Sequence, residues 1–306
     1  MRSNDSIINL DVEGVPGHEA MRFGSLTSFV RTVLAKVETE NKGGRPHWGR
    51  WGPSLNDESF SGRDLPEMTE KIALTPDPDD IDFVKDFEER VKAVLGPLVD
   101  QLIRPLVWSA HRPGRVSARR LLDGRPTYRR SRKNRATKEI PILRIGCNVS
   151  MSCIIEPKVG FMRAACMIAL AEALEAVGYR VEIWGIEAAS NVYSKGKRHF
   201  AAAWKCKASD QPMNRNAITA ALSSWFFRTL VFEANSLTRS VRETCSGLGY
   251  PNHSFEYGPQ LVGEKDFVLF DLRPTNDPEE MIHRCLSEAR KHIAKFADGS
   301  HTGGEA

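Results

Sequence analysis

The sequence predicts an α/β fold, in which a doubly wound and mostly parallel sheet is flanked by helices. Ile142–Cys147 is a short apolar run of the kind that buried parallel strands show. After it, apolar residues recur at helical spacing from Phe161 to Val177, and Pro157 is a favourable first residue for that helix. Tyr179–Ile186 is a second apolar run of strand length. A strand, a helix and a strand in this order almost always form a right-handed parallel crossover.

The chain ahead of this crossover is predicted to be a separate, mainly helical region. Residues 1–21 are polar and are expected to form a flexible arm, followed by the helical region at residues 22–139. A helix begins near Phe23, with an apolar face that runs to Val37. A second helix has apolar positions from Val84 to Leu102, and Gly96-Pro97 is expected to kink or break it.

The α/β domain itself is predicted to span residues 140–297, and residues 298–306 are expected to be a disordered tail. A polar, hairpin-like loop at 191–198 follows the crossover. The elements predicted after it are a strand at 199–206, a helix at 215–222 capped by Asn214, a buried aromatic helix at 225–232, a strand at 267–272 and a closing helix. Asp277, Pro278 and Glu280 predict a capping-box start for that last helix.

Composition points to an ordinary soluble protein. The chain has 306 residues, of which 41% are hydrophobic and 27% charged. No apolar run is long enough to cross a bilayer, and the first residues lack the apolar core of a secretory signal. The six cysteines contain no C-x-x-C pair. We therefore expect a reducing, cytoplasmic location with no membrane contact, and virion association is compatible with it.

The charge is concentrated in one segment, residues 112–138, which we call the basic segment. It holds eleven Lys and Arg residues against one acid, Asp123, so it carries +10 and leaves −6 on the rest of the chain. Arg129–Lys138 is expected to be a flexible electrostatic contact. Nucleic acid, with Tyr128 available for stacking, is one candidate partner. A solvated linker, or an arm that binds acidic surface, are the alternatives. The candidate nucleic-acid residues are Arg119, Arg120, Arg125, Arg129, Arg130, Arg132, Lys133 and Arg135.

The turn after the first strand carries a family resemblance. Asn148-Val149-Ser150-Met151-Ser152 stands where von Willebrand factor A domains have the metal-binding motif Asp-x-Ser-x-Ser, and the central unit resembles that fold. The chain also resembles an uncharacterised family of phage and prophage proteins built on such a domain, through the segments Phe23–Val30, Gly114–Pro126, Arg144–Ser152, Ala169–Tyr179 and Ala208–Pro212. The resemblance implies a phage or mobile-element origin and partner proteins that bind at the motif.

The metal-binding role that the resemblance implies is weakened by Asn148. A hard cation such as Mg²⁺ prefers carboxylate oxygens, and Asn148 supplies only a neutral one. Asp210, after a later strand, is a candidate replacement if the sheet order brings it close to Ser150 and Ser152. The favoured interpretation is that Asn148, Ser150 and Ser152 hydrogen-bond the loop and the helix start, with no metal or other cofactor. Asp271 is similarly expected to satisfy loop amides or to pair with Arg273.

No catalytic motif accompanies these residues. The sequence has no Walker loop, G-x-G-x-x-G, H-E-x-x-H, G-x-S-x-G or paired-cysteine zinc pattern. The sequence therefore predicts a non-catalytic protein-interaction or assembly module, with Asn148, Ser150, Ser152 and Asp210 as the contact face. Nucleic-acid binding through the basic segment is the alternative. A metal-dependent enzyme that uses Asp210 and Asp271 is a weaker third hypothesis.

Overall fold

The computed structural model describes residues 6–12, 15–40, 69–102, 107–109, 115–116, 128–130, 142–152, 154–176, 179–191, 198–235, 258–263 and 267–297. The strands of this part are β1 (Ser6–Val12), β2 (Val15–Phe23), β3 (Val107–Ser109), β4 (Arg115–Val116), β5 (Tyr128–Arg130), β6 (Ile142–Asn148), β7 (Arg180–Asn191), β8 (Arg198–Lys207) and β9 (Phe267–Phe270). The predicted tail at 298–306 and most of the basic segment lie outside these ranges.

The predicted α/β architecture is confirmed. Strands β6 and β7 are parallel neighbours joined by a helix, and β9 pairs in parallel with the other edge of β6. They belong to a six-stranded sheet of order β1-β2-β8-β7-β6-β9. Within it β2 and β8 are also parallel, whereas β1–β2 and β7–β8 are antiparallel. The sheet is therefore mixed, because β8 runs antiparallel to β7 and β1 runs antiparallel to β2.

The helices of the described part are α1 (Leu26–Glu40), α2 (Glu70–Leu74), α3 (Pro78–Leu102), α4 (Lys158–Ala176), α5 (Arg215–Leu222), α6 (Ser224–Phe226), α7 (Phe232–Asn235), α8 (Gly258–Val262) and α9 (Pro278–Ala297). A π-helical turn, Phe227–Val231, connects α6 to α7. Helix α3 continues through Gly96 and Pro97 instead of ending there.

The amino-terminal segment was expected to be a flexible arm, but it forms two strands. Strand β2 pairs with β8 from Met21 to Phe23, and β1 pairs with β2 at the edge of the sheet. Polar composition does not exclude an edge hairpin, because backbone hydrogen bonds to a neighbouring strand hold it in place.

The helical region before residue 140 shares its core with the α/β unit. One hydrophobic cluster contains residues of β2, α1 and α3 together with residues of β6, α4, α5 and α9. The Phe29 ring lies 5.0 Å from Trp204 of β8 and 5.4 Å from Phe226 of α6. The expected boundary at residues 139/140 therefore does not divide the core. A smaller cluster on the opposite sheet face holds Trp184 and Ile186, with Leu261 and Val262 from the end of α8 packed there.

An ion-pair cluster connects α3, α4 and α5. Lys92 of α3 lies 3.0 Å from Glu172 of α4, and Arg215 of α5 donates to Glu88 of α3 at 3.1 Å as well as to Glu172. Burial opposes ionisation of Glu88, but the hydrogen bonds from Arg215 and Lys92 outweigh it and lower the pKa of that carboxyl. The cluster thus attaches the amino-terminal helix α3 to the α/β unit.

The N-caps of helices α5 and α9 are those predicted from the sequence, with one difference in hydrogen bonding. Asn214 accepts from the Ala217 N–H at the start of α5, as expected. At α9, Asp277 accepts from the Glu279 N–H, but Glu280 does not close the predicted capping box. Its carboxylate instead accepts from the Thr275 hydroxyl, and that hydroxyl oxygen accepts from the Asp277 N–H. The Thr275 hydroxyl therefore links the Asp277 N–H to the Glu280 carboxylate, which a capping box would join directly.

Candidate interaction site at the end of the first parallel strand

The candidate site lies at the carboxyl ends of β6, β7 and β9. These strands are parallel, so their carboxyl ends meet at one edge of the sheet, where ligands of open α/β sheets bind. The loop from Val149 to Pro157, of which the structure describes every residue except Cys153, leaves this edge and is here called the β6–α4 loop. The Glu156 N–H donates to the Asn276 side chain at 3.1 Å, which joins the loop to the one that precedes α9.

Asn148 has the loop-stabilising role that the sequence favoured. Its side-chain oxygen accepts from the Ser150 N–H at 3.0 Å, and both residues are buried. An Asx turn of this kind fixes the first bend of the loop. The Val149 N–H donates to the Ile186 carbonyl at 2.7 Å, which extends the contact with β7 beyond the strand itself.

A buried guanidinium lies beneath this turn. Arg163 of α4 is 1% exposed and donates to the carbonyl oxygens of Leu272 at 2.9 Å, Val149 at 3.0 Å and Ser150 at 3.2 Å. Burial disfavours its charged form and lowers the pKa of Arg163 from its ordinary value. Three carbonyl acceptors compensate for that burial, and they connect the β6–α4 loop to the end of β9.

A second buried arginine holds the far side of the loop. Arg228, in the π-helical turn, is 1% exposed and donates to the carbonyl oxygens of Ser152 at 3.0 Å and Ile155 at 2.7 Å. Ser224 of α6 also donates to the Pro157 carbonyl. The loop backbone is therefore held from α4, from α6 and from the π-helical turn.

These residues are a poor fit for the hard cation that the family resemblance implies. The Asn148 oxygen is used by the Ser150 N–H, Ser150 is buried, and two loop carbonyls already accept from the positively charged Arg163. A divalent cation there would have a guanidinium beside it and no carboxylate in the motif to offset its charge. Within the described residues, no group of three or more His, Cys, Asp or Glu side chains has the arrangement of a metal site.

Asp210 does not join the candidate site. Because β8 runs antiparallel to β7, its carboxyl end lies next to the start of β7, and Arg180 there donates to the Ser209 carbonyl at 3.3 Å. Asp210 is thus at the opposite edge of the sheet, about 20 Å from Asn148 for a seven-residue strand. The structure therefore does not bring Asp210 close to Asn148, Ser150 and Ser152, because β8 runs in a direction that the sequence does not reveal.

The other acids near this edge of the sheet have local partners or are buried. Asp271 pairs with Arg273 at 2.8 Å, as expected, and its N–H donates to Glu288. Glu156 forms an ion pair with Lys158 at 2.7 Å, and Glu187 is fully buried in β7.

Burial raises the thiol pKa of three cysteines in or beside the core. Burial raises the pKa of Cys147, at the end of β6, to about 11, and that of Cys206 to about 12. Cys166 and Cys285, on α4 and α9, are buried as their helical spacing indicated, and burial raises the pKa of Cys166. Their packing is that of small apolar side chains.

Ile154 is the outward-facing apolar residue of the loop. It is 81% exposed, and the only other exposed large hydrophobic side chain among the described residues is Val94 of α3, at 37%. Sequence reasoning did not identify Ile154, Arg163 or Arg228. A signal for Arg163 was present, because it is the single charged residue between Lys158 and Glu172 in a helix of apolar and small residues.

The fold and this site define a class, an α/β protein with a rigid polar turn at the carboxyl edge of its sheet. In the comparison with family models, residues 9–295 match the family described as "Domain of unknown function (DUF7192)", and the chain belongs to that family. The match runs from β1 to α9, across the boundary expected at residue 140. Searches of curated proteins and of solved structures gave no significant match.

No helix of the described part combines the length and apolar character needed to span a membrane.

Proposed function

We propose that the chain is a non-catalytic protein-interaction or assembly module that contacts its partner through the β6–α4 loop. The observation that carries the proposal is an exposed isoleucine on a loop whose backbone is fixed by two buried arginines. A contact loop already held in one conformation loses little conformational entropy when it binds. Scattered exposed apolar residues are common, so the fixed backbone of the loop supports the proposal as much as Ile154 does.

The proposed contact face differs in two ways from the one expected from sequence. It centres on Ile154 with the backbone around Ser152, and it excludes Asp210. A partner that covers the Ile154 side chain would gain about 1.5–3 kcal/mol from its burial. The charged residues on this edge, such as Arg273 and Glu156, are paired within the chain and suit the polar rim of an interface.

As part of the same proposal, we assign a von Willebrand A-like fold to the α/β unit. It is supported by the parallel β6–α4–β7 crossover, by the polar turn at the end of β6 and by the position of β9 beside β6. The phage or mobile-element origin that the resemblance implies, and the cytoplasmic location expected from the cysteine pattern, are likewise proposals.

The test compares two variants that each remove one exposed aliphatic side chain. Ile154→Ser alters the proposed contact loop, and Val94→Ser alters α3 as the matched control. Immobilised wild type and both variants are incubated with lysate of the source cells, and bound proteins are quantified by mass spectrometry. We expect a protein that is retained by wild type and by Val94→Ser and is depleted with Ile154→Ser. Equal recovery with all three would contradict a contact centred on Ile154.

A further inference from the structure

Two buried thiols meet where α4 packs against α9. Cys166 of α4 is 0% exposed and Cys285 of α9 is 1% exposed, and both belong to the main hydrophobic cluster. The two side chains share a hydrogen bond, and both cysteines are free thiols. The fold therefore brings together two cysteines that are far apart in the sequence.

The two helices are attached to the same short stretch of chain after β9. Arg163 lies one turn before the α4 thiol and donates to the Leu272 carbonyl at 2.9 Å. Glu288 lies one turn after the α9 thiol and accepts from the Asp271 N–H at 3.1 Å. Because Asp271 and Leu272 are consecutive, these bonds hold the cysteine-bearing turns of α4 and α9 side by side.

Thiols in contact across two packed helices can be joined by a disulfide. Sulfur atoms that share a hydrogen bond need to approach by only about 2 Å to reach the S–S bond length. Burial raises the pKa of the Cys166 thiol, so little of the reactive thiolate is present at neutral pH. The pair therefore stays reduced under ordinary reducing conditions and reacts only with a strong oxidant.

We propose that Cys166 and Cys285 are a redox switch that a hydroperoxide, such as hydrogen peroxide, closes by forming a disulfide between α4 and α9. In the first step one thiol takes an oxygen from the peroxide, whose O–O bond breaks, and a sulfenic acid and one water result. In the second step the other thiol loses its proton and attacks that sulfur, and the S–O bond breaks to release a second water. Two thiols thus lose two electrons, and the peroxide is reduced to water.

The disulfide connects two supports of the β6–α4 loop. Helix α4 carries Arg163, which donates to the carbonyls of Val149 and Ser150. The loop that precedes α9 carries Asn276, whose side chain accepts from the Glu156 N–H. The oxidised protein is therefore braced beneath its candidate site. The switch goes beyond the protein-interaction function and does not depend on it.

The test exposes the reduced full-length chain to hydrogen peroxide under native conditions. Its disulfides are then mapped by mass spectrometry of unreduced peptides. We expect a Cys166–Cys285 cross-link and an intact mass lower by two hydrogen atoms, both reversed by dithiothreitol. We expect Tm to rise by about 5 °C, because the cross-link closes a long loop of the unfolded chain.

Four single variants separate this pair from the other described cysteines. Cys166→Ala and Cys285→Ala should each abolish the cross-link and the rise in Tm. Cys147→Ala and Cys206→Ala should keep both. Cys147 is the sharper control, because it is as deeply buried as the pair itself. Thermal melts of the reduced variants verify that each is folded.

Three outcomes would overturn the proposal. Oxidation of the half-buried Cys206 without any disulfide would show that the core pair is inert. The same mixture of disulfides in native buffer and in urea would show that the fold does not select Cys166 and Cys285. An unchanged Tm after complete cross-linking would show that the disulfide does not brace the fold.

Discussion

At the scale of single residues, two buried arginines do most to define the candidate site. Arg163 and Arg228 are each 1% exposed, and together they donate to carbonyls of the β6–α4 loop and of the chain after β9. Backbone carbonyls that leave a sheet edge need donors when they are buried. In this chain guanidinium groups supply those donors, at a place where the family resemblance implies a metal ion.

Replacement of Arg163 by Met tests this role. The variant keeps an unbranched apolar side chain but leaves the carbonyls of Leu272, Val149 and Ser150 without their donor. We expect the free energy of unfolding to fall by about 3 kcal/mol, because each unsatisfied buried carbonyl costs about 1–3 kcal/mol while removal of the buried charge offsets part of the sum.

The measurement is urea denaturation monitored by circular dichroism, with Arg290→Met as the matched control. Arg290 is exposed on α9, and its replacement should change stability by no more than about 0.5 kcal/mol. A loss with Arg163→Met as small as that of the control would show that the loop does not depend on the guanidinium.

At the scale of elements, close packing of α4 against the α5–α6 junction sets the position of the loop. A Cβ added to Gly160 of α4 would lie 2.5 Å from the Ser224 nitrogen and 2.8 Å from the Leu222 carbonyl oxygen. Backbone atoms cannot move aside to make room for a Cβ as the end of a flexible side chain can. Glycine at 160 therefore permits α4 to approach the junction that carries Ser224, a donor to the loop.

Two glycine-to-alanine variants test this packing. Gly160→Ala should lower the free energy of unfolding by about 1–3 kcal/mol through overpacking. Gly96→Ala, in α3, meets nothing within 4 Å and should leave stability unchanged or raise it by up to about 1 kcal/mol through helix propensity. Thermal unfolding of both variants measures the difference, and equal stability of the two would refute the close approach.

At the scale of the whole molecule, the amino-terminal elements complete the core. Phe29 of α1 contacts Trp204 and Phe226, and Phe83 of α3 lies 6.5 Å from Phe161 of α4. Strand β2 covers the edge of β8. A fragment that begins at residue 140 would expose these apolar surfaces and the β8 edge to water.

We therefore expect residues 140–297 alone not to fold cooperatively. The fragment should lack a sigmoidal unfolding transition in urea. The full chain should unfold in one main transition that tryptophan fluorescence and circular dichroism both report. A cooperative transition of the fragment, with a midpoint near that of the full chain, would restore the two-domain interpretation.

Local patterns predicted the central architecture correctly. The β6–α4–β7 crossover, the helix after Asn214 and the cap at Asp277 follow from side-chain periodicity and capping chemistry within a few residues. The hydrogen bond from Ser150 to Asn148 and the pairing of Asp271 with Arg273 are equally local. Each involves groups close in sequence, so the sequence alone determined them.

Apart from the β6–β7 pair, only the tertiary structure decided which strands are neighbours and in which direction they run. Because β8 is antiparallel to β7, Asp210 lies at the opposite edge of the sheet from Asn148. Strand β2 belongs to the sheet because it pairs with β8. Arg163 and Arg228 acquired their roles because α4 and the π-helical turn pack over the loop. These contacts join residues up to about 180 positions apart, and their free energy comes from backbone pairing and burial that no local pattern encodes.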